Sequence, residues 1–383
     1  MTTPIERSAL IAGIGMSQVG RRLHVDPWSL TADAALEAIA DAGLTPDDID
    51  GVSTYPGALW STPGITGAGV DDVRSMLGLR LRWYTGGGEI PGQLGSIANA
   101  VMAVASGLAE HVLCFRTVWE STAQDEMGGR SAAVGGGKPS KYGREMNQWN
   151  APYGMGYPSY AAMIMQRRFE LDGAAREQIA QIALTARANA ALNPAAVYRD
   201  PMTMDDYLDS RMISDPLCLY DCDVPVDGSV AVVVSRSDSP AVDRSRAVAI
   251  EAMGTASGFE ECGKMLWSRT DLAPADVDVA QLYDGFTILA VQWLEALGFC
   301  GPGEGPSFIE GGKRIALDGE LPLNTGGGQL SGGRLHGYGH LHEACVQLRG
   351  LGDARQVHPV PKVAAVSSGA EHFTSALLLT APA

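Results

Sequence analysis

The sequence predicts an α/β protein in which helices cover both faces of mostly parallel sheets and one half of the chain repeats the other. Apolar strand patterns alternate with helical patterns along the chain. The last strand of each half, 228–236 (GSVAVVVSR) and 374–381 (TSALLLTA), is hydrophobic almost throughout. An earlier strand also has a counterpart, because 111–118 (HVLCFRTV) corresponds in place to 362–368 (KVAAVSS). A single large open sheet is the alternative, but it leaves this repeat unexplained.

The first half is predicted to span residues 1–243. An amphipathic helix pattern runs from Leu30 to Gly43, with Thr31 or Asp33 as its cap and Gly43 as its end. Its other predicted elements are strands at Ser8–Gly15, Val52–Tyr55, His111–Val118 and Gly228–Arg236 and helices at Ile97–Gly107 and Ala174–Ala191. From about 120 to 175 the composition changes, and this stretch is predicted to contain an inserted loop region. Its cationic residues are Arg130, Lys138, Lys141 and Arg144.

The second half is predicted to span residues 244–383. Its predicted strands are Val248–Met253, Val277–Leu282, Leu321–Leu323, Val363–Ser367 and Ser375–Leu379. Two helices are predicted at Phe286–Leu297 and Gly339–Leu348.

Charge and composition limit the possible functions. The formal net charge is −16, which argues against nucleic-acid binding because that needs clustered lysines and arginines. No apolar run approaches the roughly 18 residues of a membrane span, and no signal-peptide pattern is present. The six cysteines form neither a CxxC pair nor a metal-like spacing with histidine, so no metal site is predicted. We expect a cytoplasmic protein.

The densest group of chemically useful residues lies between Leu321 and Gly350. A short apolar stretch ends at Asn324, and a glycine-rich loop follows before a helix pattern. Glycines let the backbone approach a ligand closely and leave N–H groups available for an anion. The polar residues of the loop and the start of the helix are Arg334, His336, Tyr338, His340, His342 and Glu343. A structural loop with incidental polar residues is the competing interpretation.

Two further motifs belong to the predicted site. Tyr283 and Asp284 follow a strand pattern and precede a helix, so Tyr283 is placed at a strand end, where ligands meet layered α/β sheets. The stretch 86–93 (GGGEIPGQ) predicts a turn of the kind that exposes a nucleophile between a strand and a helix. No cysteine or serine stands at its tip.

In order along the chain, 103–115 (AVASGLAEHVLCF), 213–222 (ISDPLCLYDC), 277–286 (VDVAQLYDGF) and 323–333 (LNTGGGQLSGG) resemble the thiolase superfamily, in its branch of sterol-carrier-protein-type, lipid-transfer-protein-like thiolases. The resemblance implies two βαβαβαββ halves in a five-layer α/β/α/β/α sandwich. It also implies a homodimer and CoA-thioester substrates.

Several positions depart from the thiolase pattern. The place of the nucleophilic cysteine is close to Ile90, the histidine of the Gly-His-Pro motif is replaced by Arg334, and the last motif has serines at 367 and 368 in place of cysteine. Without a thiol nucleophile, a covalent Claisen condensation is not expected. The pattern, with 336–344 (HGYGHLHEA), is instead similar to the thiolase-like aldolases of bacterial steroid catabolism.

This resemblance predicts retro-aldol cleavage of a branched β-hydroxyacyl-CoA, of the steroid 17-hydroxy-propanoyl-CoA type, to a ketone and propionyl-CoA. Tyr283 and Tyr338 are the expected acid/base pair. The residues expected to assist them are Arg334, His336 and His340. The expected substrate-binding residues are Gly92, Asn324, Gly327, Gly328, Ser368 and Gly369, with glycine-loop N–H groups forming a hole for the enolate. The cationic residues of the insertion have two interpretations, contact with CoA phosphates or solvated loop charge.

No cofactor is expected in this chain. The resemblance implies a small OB-fold partner with a zinc ribbon in a heterotetramer, and any zinc would lie on that partner. Two alternatives keep the fold: a cysteine-lacking acyltransferase, and a non-catalytic acyl-CoA or lipid carrier.

Overall fold

The computed structural model of the protein describes residues 4–55, 64–87, 91–126, 153–371 and 373–382. Its strands are β1 (Ala9–Met16), β2 (Gly51–Thr54), β3 (Trp83–Gly86), β4 (His111–Trp119), β5 (Met212–Ser214), β6 (Leu217–Cys218), β7 (Asp227–Arg236), β8 (Val248–Gly254), β9 (Val279–Gln281), β10 (Val363–Ser368) and β11 (Ser375–Thr380).

The helices alternate with these strands. They are α1 (Pro27–Asp41), α2 (Val70–Leu77), α3 (Gly95–Ala105), α4 (Glu120–Glu126), α5 (Tyr157–Asp172), α6 (Arg176–Ala191), α7 (Met204–Leu208), α8 (Phe259–Trp267), α9 (Thr287–Ala296), α10 (Gly305–Phe308) and α11 (Tyr338–Leu348).

Nine of the strands form a continuous sheet in the order β3-β2-β4-β7-β1-β8-β11-β10-β9. The first five come from the first half of the chain and the last four from the second. Only β1 and β8 join the two groups, through the pairs Leu10–Ala249 and Ile11–Val248. The sheet is therefore two sheets that meet at one edge.

The predicted repeat is present in the sheet. Counted outward from the junction, the first group runs β1-β7-β4-β2 and the second β8-β11-β10-β9. The matched segments of the sequence, in β4 and β10 and in β7 and β11, occupy equivalent places in the two groups. The α/β fold with duplicated halves is confirmed.

The expectation of mostly parallel sheets is wrong. Parallel pairing joins β2 to β3 and β4, and β9 to β10, whereas the remaining neighbours in the large sheet are antiparallel. Helical crossovers produce the parallel pairs. The first and last strands of each half, β1 with β7 and β8 with β11, are neighbours that run antiparallel. The sequence could not show this, because strands buried on both faces are equally apolar whether their neighbours are parallel or antiparallel.

Three hydrophobic clusters fill the spaces between five layers. Helix α1 packs on the outer face of β1, β4 and β7. Helices α3 and α11 lie between the two groups of strands and share one core with both. Helices α8 and α9 cover the far face of the second group, with α5 and α6 packed beyond them. This is the predicted five-layer arrangement.

Some element boundaries differ from the prediction. Helix α1 begins at Pro27, with Asp26 as its N-cap, because proline suits the first helical position. The predicted strand Leu321–Leu323 contributes only an isolated bridge between Leu323 and Ala280. Helices α4 and α5 lie within the predicted insertion at 120–175, whereas its cationic residues Arg130, Lys138, Lys141 and Arg144 fall outside the described residues.

Candidate functional site

The glycine-rich loop is attached to the end of β9 by Asn324. Its side-chain Oδ1 accepts a hydrogen bond from the Leu282 N–H at 2.7 Å, and its Nδ2 donates to the Leu282 carbonyl at 2.9 Å. The side chain of Asn324 thus mimics a strand partner and fixes the loop beside Tyr283. The Asn324 side chain is buried, and backbone groups of Leu282 occupy its hydrogen-bonding atoms. Asn324 therefore positions the loop and does not face a substrate directly.

Gly327 and Gly328 both have positive φ, at 96° and 56°, and bring the loop against its neighbours. A Cβ at Gly328 would lie 1.9 Å from Oδ2 of Asp284, which no side chain could tolerate. The Gly327 N–H donates to the Asn324 carbonyl at 2.8 Å, and the Gln329 N–H donates to Asp284 at 2.8 Å. These two loop amides are therefore used inside the protein and are not available for an enolate hole.

Asp284 holds His340 at the start of α11. The imidazole Nε2 lies 3.0 Å from Asp284 Oδ1, and both residues are buried. Nδ1 of His340 and Oδ2 of Asp284 are buried and have no hydrogen-bond partner among the residues that the structure describes. The centroids of the His340 and Tyr283 rings are 6.3 Å apart, so this pair stands beside the predicted acid/base residue.

Tyr283 is nearly buried, and its hydroxyl accepts a hydrogen bond from Gln93 Nε2 at 3.3 Å. Its backbone N–H donates to Ser367 Oγ at 3.0 Å. The hydroxyl of the next residue, Ser368, donates to Gln93 Oε1 at 3.1 Å. Residues at the end of β10 and in the turn before α3 therefore jointly fix the position of Tyr283.

Two predicted glycines make this close contact possible. Gly92 has φ of 58°, and a Cβ there would lie 2.5 Å from Ser375 Oγ. Gly369 has φ of 82°, and a Cβ there would lie 1.4 Å from the Phe373 carbonyl oxygen. The backbone of both glycines lies close to Gln93, where a side chain would not fit.

Tyr338 is fully buried in the central core, and its hydroxyl lies 2.5 Å from Ser96 Oγ. Burial, followed by the proximity of Cys114, raises the pKa of Tyr338 well above its usual value near 10. Tyr338 is therefore protonated at neutral pH. Ser96 follows Gln93 by three residues in the first turn of α3, so one turn of backbone holds both predicted catalytic hydroxyls.

Arg334 does not point freely into the site. Its guanidinium binds the buried carboxylate of Glu120 through two nitrogens, and its Nη1 lies 2.9 Å from Asp223 Oδ1. Burial, the largest single influence, would raise the pKa of Glu120, but the charge and hydrogen bonds of Arg334 and His336 together outweigh it and hold the pKa at about 2. Glu120 is thus ionised. The guanidinium also interacts electrostatically with Tyr283.

His336 belongs to the same charged cluster. Its Nδ1 accepts from the guanidinium of Arg116, at 2.8 Å from Nη2, because arginine can only donate. Its Nε2 therefore carries the proton and lies 3.3 Å from Glu120 Oε1. Burial chiefly lowers the pKa of His336, and Arg116 adds to this effect, so the ring is neutral.

A cleft of about 530 Å³ opens on the other side of the glycine-rich loop. It is lined by the loop glycines, by Gln329 and His340, and by Glu343 with Arg355. These last two form a buried ion pair at 3.0 Å. Gln93, Tyr283 and Ser368 do not line this cleft, so the tyrosine side of the loop is separate from it.

The predicted site residues thus form neighbouring groups. Gly92, Tyr283, Ser368 and Gly369 surround Gln93. Asn324, Gly327, Gly328 and His340 surround Asp284 and the end of β9. Arg334 and His336 surround Glu120, and Tyr338 lies on Ser96.

Four residues of these groups escaped the sequence analysis. Arg116 could have been found, since it interrupts the otherwise apolar pattern of β4. Gln93 and Ser96 lie just after the turn whose tip lacks a nucleophile, which is a weaker signal. Glu120 gives no local signal. The position near Ile90 that corresponds to the thiolase nucleophile lies outside the described residues.

The chain is similar to known proteins in both sequence and structure. Residues 241–380 match the family model described as thiolase C-terminal domain-like. The chain is 34% identical to a 17-hydroxy-3-oxo-4-pregnene-20-carboxyl-CoA lyase of Mycobacterium tuberculosis, over 97% of this chain and 98% of that protein. It is 33% identical to a steroid side-chain-cleaving aldolase of Thermomonospora curvata, over 98% of each. The chain belongs to the thiolase superfamily, among its thiolase-like aldolases.

A solved structure of an Ltp2-ChsH2(DUF35) aldolase superposes on this aldolase with a TM-score of 0.86 and 30% identity, over 99% of both chains. The protein is therefore a carbon–carbon lyase of thiolase fold. Among the residues that the structure describes, no helix is long and apolar enough to cross a membrane, and no cluster of three or more His, Cys, Asp or Glu side chains is arranged to hold a metal ion.

Proposed function

We propose that this aldolase cleaves the side chain of a steroid β-hydroxyacyl-CoA, of the 17-hydroxy-propanoyl-CoA type, to a ketone and propionyl-CoA. The observation that carries the chemical part of the proposal is that two tyrosine hydroxyls meet side chains at the start of α3. Tyr283 contacts Gln93, just before the helix, and Tyr338 contacts Ser96, in its first turn. The steroid part rests on the names of the two relatives that are about one third identical over nearly their full length.

The reaction needs one proton removed and one proton delivered. A base takes the proton of the β-hydroxyl, whose oxygen then forms the ketone carbonyl. The bond between the α- and β-carbons breaks, and its electron pair passes into the thioester enolate. An acid then protonates the α-carbon and releases propionyl-CoA. No redox partner enters this balance.

The two tyrosines differ in a way that suits these two steps. Tyr338 is a phenol at neutral pH, so it holds the proton that the α-carbon must receive. Tyr283 interacts with the positive charge of Arg334, which favours its phenolate and suits removal of the hydroxyl proton. Before the next turnover, Tyr283 loses its proton and Tyr338 regains one.

The other predicted residues act by holding this pair. Arg334 and His336 are bound to Glu120, so we propose that they keep the charge around Tyr283 fixed rather than transfer protons. His340 is oriented by Asp284 and packs beside Tyr283. Asn324 and the glycines Gly327 and Gly328 place the loop, whereas Ser368, Gly92 and Gly369 shape the tyrosine side of the site where the substrate would lie.

A cysteine-lacking acyltransferase fits the site less well. One thiol lies close to Tyr338, that of Cys114, whose Sγ is 4.0 Å from the Ser96 carbonyl oxygen. Burial raises its pKa, so it stays a thiol and is a poor nucleophile. A passive acyl-CoA carrier would have no use for two buried tyrosine hydroxyls and an oriented amide.

We also propose two kinds of assembly, in the cytoplasm. The superposed aldolase pairs its Ltp2 chain with a ChsH2(DUF35) component, so a DUF35-type partner is proposed here, corresponding to the expected OB-fold protein with a zinc ribbon. A homodimer is supported by β3, which is an edge strand of the sheet formed by the described residues and carries the largely exposed Tyr84. Edge strands with free backbone groups readily pair with a second copy.

The test uses the purified full chain, co-expressed with a DUF35-type neighbour, and a steroid 17-hydroxy-propanoyl-CoA thioester. Release of propionyl-CoA and the 17-ketone in equal amounts is expected, and it should fall by at least about 100-fold in Tyr283→Phe and in Tyr338→Phe. Tyr153→Phe, at an exposed tyrosine outside the site and outside β3, is the matched control and keeps its activity.

Binding of the CoA thioester without cleavage would overturn the aldolase assignment for this substrate and favour a carrier. Cleavage that survives both tyrosine substitutions would instead overturn the acid/base pair while leaving the reaction in place.

A further inference from the structure

We propose that Gln93 is a positioning residue that makes Tyr283, and not Tyr338, the proton acceptor of the reaction. The inference rests on the proposed aldolase function and adds to it a residue outside the predicted site. Gln93 is buried, and its amide lies between Ser368 and the Tyr283 hydroxyl.

The orientation of the Gln93 amide follows from its neighbours. The Leu94 N–H donates to Ser368 Oγ at 3.1 Å, and the Ser368 hydroxyl donates to Gln93 Oε1 at 3.1 Å. A carbonyl oxygen only accepts, so the NH₂ group must face the other way. It faces the Tyr283 hydroxyl at 3.3 Å and donates to it.

A fixed donor distinguishes the two tyrosines. A hydrogen bond donated to the phenolic oxygen of Tyr283 favours its phenolate, and such a bond is stronger away from water. Tyr338 faces the hydroxyl of Ser96, which can equally well accept its proton. The environment of Tyr338 therefore tolerates the neutral phenol, whereas that of Tyr283 is arranged for the phenolate.

Two glycines leave room for the side chains of Gln93 and Ser368. A Cβ at Gly337 would lie 3.6 Å from Gln93 Cβ and 2.9 Å from Ser368 Cβ. A Cβ at Gly369 would lie 3.4 Å from Gln93 Oε1. Because glycines stand at both places, the amide and the serine that orients it can approach Tyr283 together.

The first experiment measures the pH profile of kcat/KM for steroid-CoA cleavage in Gln93→Leu and Gln93→Glu. Leucine keeps the approximate volume without a donor, and glutamate keeps the shape while placing an acceptor beside Tyr283. Both should cleave on the order of 10- to 100-fold more slowly than wild type at pH 7.5, which is the expected loss of one hydrogen bond to a charged group. Gln93→Leu should recover at high pH, where the phenolate forms without help.

Gln292→Leu is the matched control, because Gln292 lies on α9 and forms no hydrogen bond with either tyrosine. It should keep both the rate and the profile. A Gln93→Leu enzyme with a wild-type profile, or one that loses activity equally at every pH, would overturn the proposal. The second outcome would indicate a purely structural role.

A second measurement does not depend on the substrate. In protein with ¹³Cζ-labelled tyrosine, the signal that disappears in Tyr283→Phe reports its ionisation directly. The midpoint of that titration should lie about one unit higher in Gln93→Leu than in wild type. An unchanged midpoint would contradict the role of Gln93 even if the steroid substrate proves wrong, whereas a shifted midpoint without cleavage would contradict only the proposed function.

Discussion

Arg334 and Glu120 form a buried ion pair in which two guanidinium nitrogens bind the two carboxylate oxygens. The pair joins α4 to the loop before α11, elements that are 214 residues apart in the chain. Because its guanidinium is bound to this carboxylate, Arg334 has a structural role in the site. Removing one partner of such a pair leaves the other charge buried and uncompensated.

We therefore expect Arg334→Ala to lower the free energy of unfolding by roughly 3–5 kcal/mol, because Glu120 and Asp223 lose their cation. Urea denaturation of the full chain measures this. Arg236→Ala is the control: Arg236 pairs with Asp238 at 2.7 Å on the surface, where water screens the pair, so its removal should leave the free energy of unfolding nearly unchanged. An Arg334→Ala protein that is as stable as wild type but inactive would indicate a direct catalytic role instead.

The contact between Ser96 and Tyr338 gives a second prediction. Ser96→Ala leaves a buried phenol without a partner, so it should cost about 1–3 kcal/mol in the free energy of unfolding. Adding Tyr338→Phe removes the unsatisfied group, and the double variant should be more stable than the sum of the single effects implies. Thermal or urea unfolding of the four proteins completes the cycle. Additive effects would show that the hydroxyls do not interact.

The sequence predicts those strands and helices that have a clear local hydrophobic pattern. The apolar runs of β4, β7, β10 and β11 are strands, and the small apolar residues of 97–107 lie mostly within the buried helix α3. Strand direction was predicted wrongly, because strands buried on both faces have the same pattern whether their neighbours run parallel or antiparallel.

The site was predictable only in part, for a related reason. Sequence places Tyr283 at a strand end and concentrates polar residues near Tyr338, but it cannot show which partners meet them. Gln93 contacts Tyr283 across 190 residues, and Ser96 contacts Tyr338 across 242. Such pairs arise from the packing of α3 between the two sheets, which no local pattern describes.

The ionisation of His342 predicts how stability depends on pH. Burial chiefly lowers its pKa to about 4, against an ordinary value near 6.5. Above pH 6.5 the ring is neutral in both states, so its contribution is fully present. Between pH 6.5 and 4 the unfolded chain binds a proton that the folded chain does not, and the free energy of unfolding falls by up to about 3 kcal/mol.

Urea unfolding at several pH values checks this. His342→Gln should flatten the decline between pH 6.5 and 4 without abolishing it, because burial also lowers the pKa of His336 and His111. A His342→Gln curve parallel to that of wild type would contradict the assignment.

The contact between Gly328 and Asp284 leads to the last prediction. Gly328→Ala should damage the site because its Cβ would stand 1.9 Å from Asp284 Oδ2, and the loop must move away from the pair formed by Asp284 and His340. Gly78 has a similar φ of 68° but open space around it, so Gly78→Ala pays only the left-handed backbone strain of about 1 kcal/mol. Calorimetry of the two variants measures their loss of stability and so distinguishes the effect of backbone strain from that of the steric clash with Asp284. We expect Gly328→Ala to lose several times more stability than Gly78→Ala and to lose steroid-CoA cleavage as well, whereas equal losses would mean that the loop can shift without disturbing Asp284.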